Sequence, residues 1–137
     1  MMLTSHPKGV VMRWFRQIKP KEIWEEDIPR PLGDLEAARK IREICDSASE
    51  SAEKAGVGNA ETSAGKHEAE RYKRAAKAAM EIAIKISDDL LRDSAVCRIV
   101  ILCVKANDLK TAGILFRAVQ SVSIREHTLK EYPALRP

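Results

Sequence analysis

The stretch RDSAVCRIVILCVKANDLKTAGILFRAV, residues 92 to 119, constrains the fold more than any other. An apolar run meets a polar break at Ala106-Asn107-Asp108, and a second apolar run comes after it. Val96, Ile99, Val100, Ile101 and Val104 are β-branched, so a buried strand competes with a helix over this window. Periodicity alone does not separate the two, but three features favour helix. The segment from Leu90 to Ala106 is long for a strand, acidic residues precede it, and Lys105 sits in its last turn. Apolar side chains cover nearly the whole circumference, which predicts the most buried helix of the fold. Asn107 tolerates the left-handed conformation and Asp108 can cap the next helix, so the break reads as a tight junction between two helices.

The same reasoning extends along the chain. Leu35, Ala38, Ile41, Ile44 or Cys45, Ala48, Ala52 and Ala55 recur at spacings of three and four, predicting a helix over 35–55. Asp34 is placed to cap its start, and Gly56 to end it in a left-handed conformation. Residues 56–66, GVGNAETSAGK, lack periodicity and read as a flexible linker. A helix over 67–87 turns Tyr72, Ala75, Ala76, Ala79, Ile82, Ala83 and Ile86 inward. On its outer face Lys73, Lys77, Glu81 and Lys85 repeat every fourth residue, with Lys77–Glu81 and Glu81–Lys85 spaced to pair weakly. Helices over 90–106, 108–121 and 123–131 complete the set, the last opened by the capping-box spacing of Ser123 and Glu126 and stopped at Tyr132-Pro133.

A chain of 137 residues supports one modest domain that buries roughly two-thirds of its surface. Aromatic content is 4%, so the core must be aliphatic and rich in alanine. The expected architecture is all-α: a small helical bundle preceded by an irregular N-terminal arm over 1–33. The helix at 35–55 either joins the bundle or stands apart across the linker, and 67–132 form the helical core domain. Cys45, Cys97 and Cys103 are odd in number, lack CxxC spacing and sit in apolar runs, as in a reduced cytoplasmic protein with small buried thiols. No secretory signal is visible, and the longest unbroken apolar run, Ile99 to Val104, is far short of a membrane span.

Catalytic and metal chemistry find little support. His6, His67 and His127 have no second ligand at helical metal spacing, and the HEAE at 67–70 lacks the second histidine of a zinc-protease helix. Asp88, Asp89 and Asp93 are explained by capping, and Cys97 and Cys103 share no clean helical face. No catalytic residue, metal ligand or cofactor site is therefore assigned. The arm is the more promising binding element. Arg13, Trp14, Phe15 and Ile18, with Trp24 beyond, combine basic and aromatic character on an amphipathic segment. Trp14, Phe15 and Trp24 either dock on a partner or fold back to complete the core. Lys8, Arg13, Arg16 and Lys19 leave nucleic acid or an anionic membrane surface as the alternative partner.

LLRDSAV at 90–96 has an echo 33 residues later in SIREHTL at 123–129, pairing Leu91 with Ile124, Arg92 with Arg125 and Asp93 with Glu126; a period near 33 or 34 is that of helix-hairpin repeats. Over residues 92–131 the chain resembles the tetratricopeptide-like α-hairpin family. Asn107, Asp108 and Leu109 stand at its turn, Ala112 at its small position and Phe116 at its aromatic one, while Val96, Ile99 and Cys103 fall on apolar positions. Val100 departs from it where Gly or Ala is preferred, and there is no proline near residue 124. The resemblance implies a protein-binding scaffold without chemistry. The expected function is a non-enzymatic interaction or adaptor module for a partner protein or peptide, with a homodimer among the forms it can take.

Overall fold

Capping chemistry sets where each helix begins. In the structure, a computed structural model, residues 21–28, 30–58 and 62–136 are described. Among them run α1 (Asp34–Val57), α2 (Ser63–Ala83), α3 (Asp89–Lys105), α4 (Leu109–Arg117) and α5 (Val122–Glu131), with 3-10 turns at Ile23–Glu25 and Pro133–Leu135. No strand occurs among the described residues, and the all-α bundle expected from the sequence is the architecture observed. No helix among them is long and apolar enough to cross a membrane.

Several boundaries differ from expectation for local reasons. Thr62 accepts a hydrogen bond from the Gly65 amide at 3.0 Å, so α2 starts at Ser63, one turn before His67. The segment read as a linker over 56–66 is thereby shortened from both sides, because α1 runs on to Val57. Gly56 is not a left-handed cap: no glycine among the described residues has a positive φ. A Cβ there would lie 2.4 Å from the Lys105 carbonyl oxygen, so Gly56 lets the end of α1 lie close against the end of α3. The cap of α1 is Gly33, and the Asp34 carboxylate instead accepts the amides of Ser87 and Asp88, each at 2.9 Å. Ser121, rather than Ser123, caps α5 by accepting from the Ile124 amide at 3.4 Å. The Lys77–Glu81 and Glu81–Lys85 spacings close no ion pair among the described residues, and all three side chains are exposed.

α3 is the helix around which the rest assemble. Of the helices described, it alone packs against all four others. Ala95, Val96, Cys97, Ile99, Val100, Leu102 and Cys103 are buried on it, matching the circumferential burial expected. Their burial outweighs the few tenths of a kcal/mol by which each β-branched residue disfavours a helix. Asn107 turns the chain with φ 57°, and Asp108 starts α4 by accepting from the Thr111 amide at 3.3 Å. The same carboxylate receives the Tyr72 hydroxyl at 2.8 Å, tying α2 to the α3–α4 turn.

α1 and α2 form the largest helix pair, joined by Ala37, Ala48 and Ala52 on one side and Ala75, Ala76, Ala79 and Ala83 on the other. Small side chains let the two axes approach closely over their whole length. Residues 34–55 thus belong to the same core as the other described helices.

Candidate functional site

Beyond the first turn of α3 the exposed residues are Ser94, Arg98 and Lys105, and with half-buried Ile101 they form one strip at helical spacing. α1 flanks this strip on one side and α5 on the other, while Val96, Ile99, Val100 and Cys103 face the opposite way, toward α2 and α4. The α5 flank is an open cavity of about 370 Å³, lined by Ser94, Cys97, Arg98, Ile101, Ser123, Ile124, His127, Thr128, Glu131 and Tyr132. The α1 flank is a smaller hollow of about 90 Å³ bounded by Cys45, Asp46, Ser49, Arg98, Ile101, Leu102 and Lys105. From the strip, Arg98, Ile101 and Lys105 border the α1 hollow, and the first two border both spaces. The two spaces are therefore halves of one valley with α3 as its floor.

The valley's charges are unequally satisfied. Lys105 Nζ donates to the neutral Ser49 hydroxyl at 2.8 Å, and Arg98 forms no ion pair among the described residues. On the α5 wall His127 Nε2 lies 2.7 Å from Glu131 Oε1, both side chains exposed. The wall is fixed from below: Asp93, buried at 4% exposure, accepts the amides of Gln120 at 3.2 Å and Ser121 at 2.9 Å. Thr128 donates to the Ile124 carbonyl at 2.7 Å and lies 3.5 Å from Cys97 Sγ. A buried carboxylate at the start of α5 and a buried hydroxyl in its last turn thus hold the helix onto α3.

The cysteines are core residues. Burial pushes the Cys45 thiol up to about 12 and the Cys103 thiol to about 11, and burial also raises Cys97 above its ordinary value against the Thr128 hydrogen bond. Arg98 acts electrostatically on Cys45 rather than on its neighbour Cys97. All three thiols stay protonated near neutral pH, which withholds the thiolate that nucleophilic chemistry needs. Asp88 caps α3 through the Leu91 amide at 2.8 Å, and Asp89 meets Arg92 at 2.7 Å. Among the described residues no three His, Cys, Asp or Glu side chains converge as a metal site.

Of the residues the sequence singles out for partner binding, Arg13, Trp14, Phe15 and Ile18 lie outside the described residues, as do Lys8, Arg16 and Lys19. Trp24 packs against the core, with its Nε1 buried and without a hydrogen-bond partner. The Arg71 guanidinium lies 4.8 Å above its ring. Arg71 also binds Glu22 at 2.6 and 3.0 Å, the Ser51 hydroxyl at 2.7 Å and the Ser47 carbonyl at 3.2 Å. The hydrogen bond from Arg71 holds the Glu22 carboxyl below its usual range. With Lys40–Glu26 at 2.7 Å and the Arg30–Glu36 fork, residues 22–28 and Arg30 form a strap bound to α1 and α2. Lys40, Ser47 and Ser51 lie on a different flank of α1 from Cys45, Asp46 and Ser49, so the strap and the valley occupy separate faces.

Arg98, Ile101 and Lys105 do not stand out in the sequence, because α3 is apolar around almost its whole circumference. The signal is nonetheless present in the polar breaks at Ser94, Arg98 and Lys105, whose spacings of four and seven place them on one face. No protein-family model, curated protein or solved structure matches this chain.

Proposed function

We propose that this chain is a non-enzymatic interaction module, an adaptor that offers the valley along α3 to a partner protein or peptide. The observation that carries the reading is the strip Ser94–Arg98–Ile101–Lys105, which opens along α3 between α1 and α5. A concave face with apolar and polar groups side by side is the form that helical scaffolds present to peptides. The side-by-side placement of α1, α3 and α5, with α2 and α4 against the reverse face of α3, also supports the tetratricopeptide-like reading of residues 92–131. Stacked helix hairpins align alternate helices in this way. Three unpaired buried thiols suit a reducing compartment, and a cytoplasmic location forms part of the same proposal.

The test is affinity capture with the full chain after nuclease treatment, set beside two variants whose melting temperatures match it. Arg98→Glu with Ile101→Glu alters the valley; Trp14→Ala with Phe15→Ala alters the arm. A protein held by the wild type and the arm variant and lost from the valley variant supports the reading. Loss from the arm variant alone would move binding to residues 1–33, and identical capture by all three would remove the valley from consideration.

A further inference from the structure

The spacing of the exposed strip on α3 limits what can lie along it. Ile101, Arg98, Ser94 and Leu90 follow one another at intervals of three, four and four residues on one face. Leu90 is 61% exposed, one turn below Ser94, and carries the strip to the start of the helix. At about 1.5 Å per residue, Arg98, Ser94 and Leu90 stand roughly 4.5, 10.5 and 16.5 Å along the axis from Ile101. An extended chain returns a side chain to the same face about every 6.6 Å and falls out of step with this ladder. A second helix rises by the same increment and keeps step with it.

The walls decide on which side of the strip a ligand lies. The α1 hollow is small, and Asp46 on its border repels an incoming carboxylate; Lys105 belongs to that hollow and takes no part. On the α5 side the space is about 370 Å³, and its acid, Glu131, is already engaged by His127 at 2.7 Å. Ile124 and Tyr132 are partly buried there and form an apolar wall beside Ile101. Arg98 borders this larger space and forms no ion pair among the described residues. A guanidinium without a carboxylate of its own, between Leu90 and Ile101, is matched by one acid between two apolar side chains.

We propose that the groove between α3 and α5 receives one amphipathic helix of a partner protein, antiparallel to α3, with the inner face Leu-Xaa-Xaa-Glu-Xaa-Xaa-Xaa-Ala-Xaa-Xaa-Xaa-Leu. Its first leucine enters the cavity against Ile101 and Ile124, its glutamate meets Arg98, its alanine crosses Ser94 and its last leucine covers Leu90. The proposal rests on the interaction-module reading and names the kind of partner that reading requires. Direction follows from the fold. α1 runs parallel to α3, with Asp34 at Ser87 and Asp88 and Ser49 at Lys105. α5 does the same, with Ser121 at Asp93 and Thr128 at Cys97. Three helix N-termini therefore lie toward Leu90, and their partial positive charge favours the C-terminus of the incoming helix at that end. The leucines separate such a helix from a polyanion, which would use Arg98 and gain nothing from Leu90.

The experiment uses the full chain and a fluorescein-labelled peptide with that inner face, its other positions filled by alanine and glutamine. A length of about 18 residues makes such a peptide helical in water. Binding is read by anisotropy. The comparison probes replace the glutamate by glutamine, both leucines by serine, or one outward central residue by proline, and a single-stranded oligo(U) is the fourth. The proline probe keeps every inner side chain and breaks the helix that aligns them. The expected result is saturable binding of the parent peptide, weakened about tenfold or more by each of the three changes. Arg98→Gln and Leu90→Ser should each weaken the parent peptide to a similar degree. Both residues are exposed, so the circular dichroism spectrum should stay unchanged in each variant.

The proposal is overturned if the parent peptide does not bind, if any of the three altered peptides binds as tightly, or if oligo(U) binds with the same dependence on Leu90. Equal binding of the proline probe would assign the groove to an extended chain instead. A protein captured through the valley but lacking such a helix would overturn this inference and leave the interaction-module reading standing.

Discussion

Helices α1 and α2 run 24 and 21 residues and meet through alanines along their length, whereas α4 and α5 run 9 and 10 residues, and α5 attaches to α3 at only a few points. α1 buries seven residues, while α5 buries Thr128 alone. The α5 end is held by specific contacts instead. Asp93 accepts the Gln120 and Ser121 amides just ahead of it, Arg125 donates to the carbonyls of Phe116 and Val119, and the same guanidinium lies 4.6 Å from the Phe116 ring. Continuous burial makes one half stiff, and point attachments leave the other easier to open locally. The valley lies along the boundary, with a firm floor in α3 and one firm wall in α1. Its other wall, α5, is the element best suited to adjust to a ligand.

The largest expected contrast comes from trimming an isoleucine in each half. Ile44 is fully buried between α1 and its neighbours, so Ile44→Ala should cost about 3 kcal/mol through lost transfer energy and the cavity left behind. Ile124, partly buried on α5, should lose about 1 kcal/mol on the same change. Urea denaturation measures both, and equal losses would break the contrast between the halves.

A second test uses two glycines whose substitution should have opposite signs. At Gly56 a Cβ would press to 2.4 Å against the Lys105 backbone, and backbone cannot swing aside as a side chain can. Gly56→Ala should therefore destabilise by about 2 kcal/mol as α1 and α3 are forced apart. Gly113 lies within α4 with nothing inside 4 Å of its Cβ position. Gly113→Ala should stabilise by about 0.5–1 kcal/mol, the ordinary gain of alanine over glycine in a helix. Melting temperatures moving in opposite directions would locate the crowded contact at the α1–α3 end. A neutral Gly56→Ala would place slack where close approach is described.

Helices α1 and α3 and the Asn107 turn were legible because their signals are local: periodic apolar positions, acids before the helix and an asparagine fit for positive φ. Boundaries differ from the local signal where a residue serves a distant partner. Asp34 looks like a cap and instead binds the amides of Ser87 and Asp88; Gly56 looks like a stop and is a contact. Asp93 resembles another first-turn acid, and only the folded chain brings Gln120 and Ser121 to it. The valley was hardest to read. Its floor is visible as polar breaks in α3, but its walls come from residues 45–49 and 123–132, which no local pattern links.

The smallest effects concern pH, and they separate two carboxylates that tie the halves together. Asp34 joins the start of α1 to the α2–α3 junction, and its hydrogen bonds from Ser87 and Asp88 hold its carboxyl below the usual range. Asp108 joins α2 to α4. Burial works against its charge, but hydrogen bonds from Tyr72 and Thr111 outweigh this and also leave it lowered. For a carboxyl whose folded pKa lies below its unfolded value, the unfolded chain binds the proton first. The contribution is fully present above about pH 4 and is lost as pH falls through the folded value. Asp34→Asn and Asp108→Asn should each melt below the wild type at pH 7, and both deficits should shrink as pH falls toward about 2.5. The Tyr72–Asp108 hydrogen bond is part-buried, whereas those from Ser87 and Asp88 to Asp34 are exposed, so screening makes the Asp34 deficit the smaller of the two. Scanning calorimetry across that range checks both the order and the convergence. Deficits constant with pH would mean that the two side chains act through shape and hydrogen bonding rather than through charge.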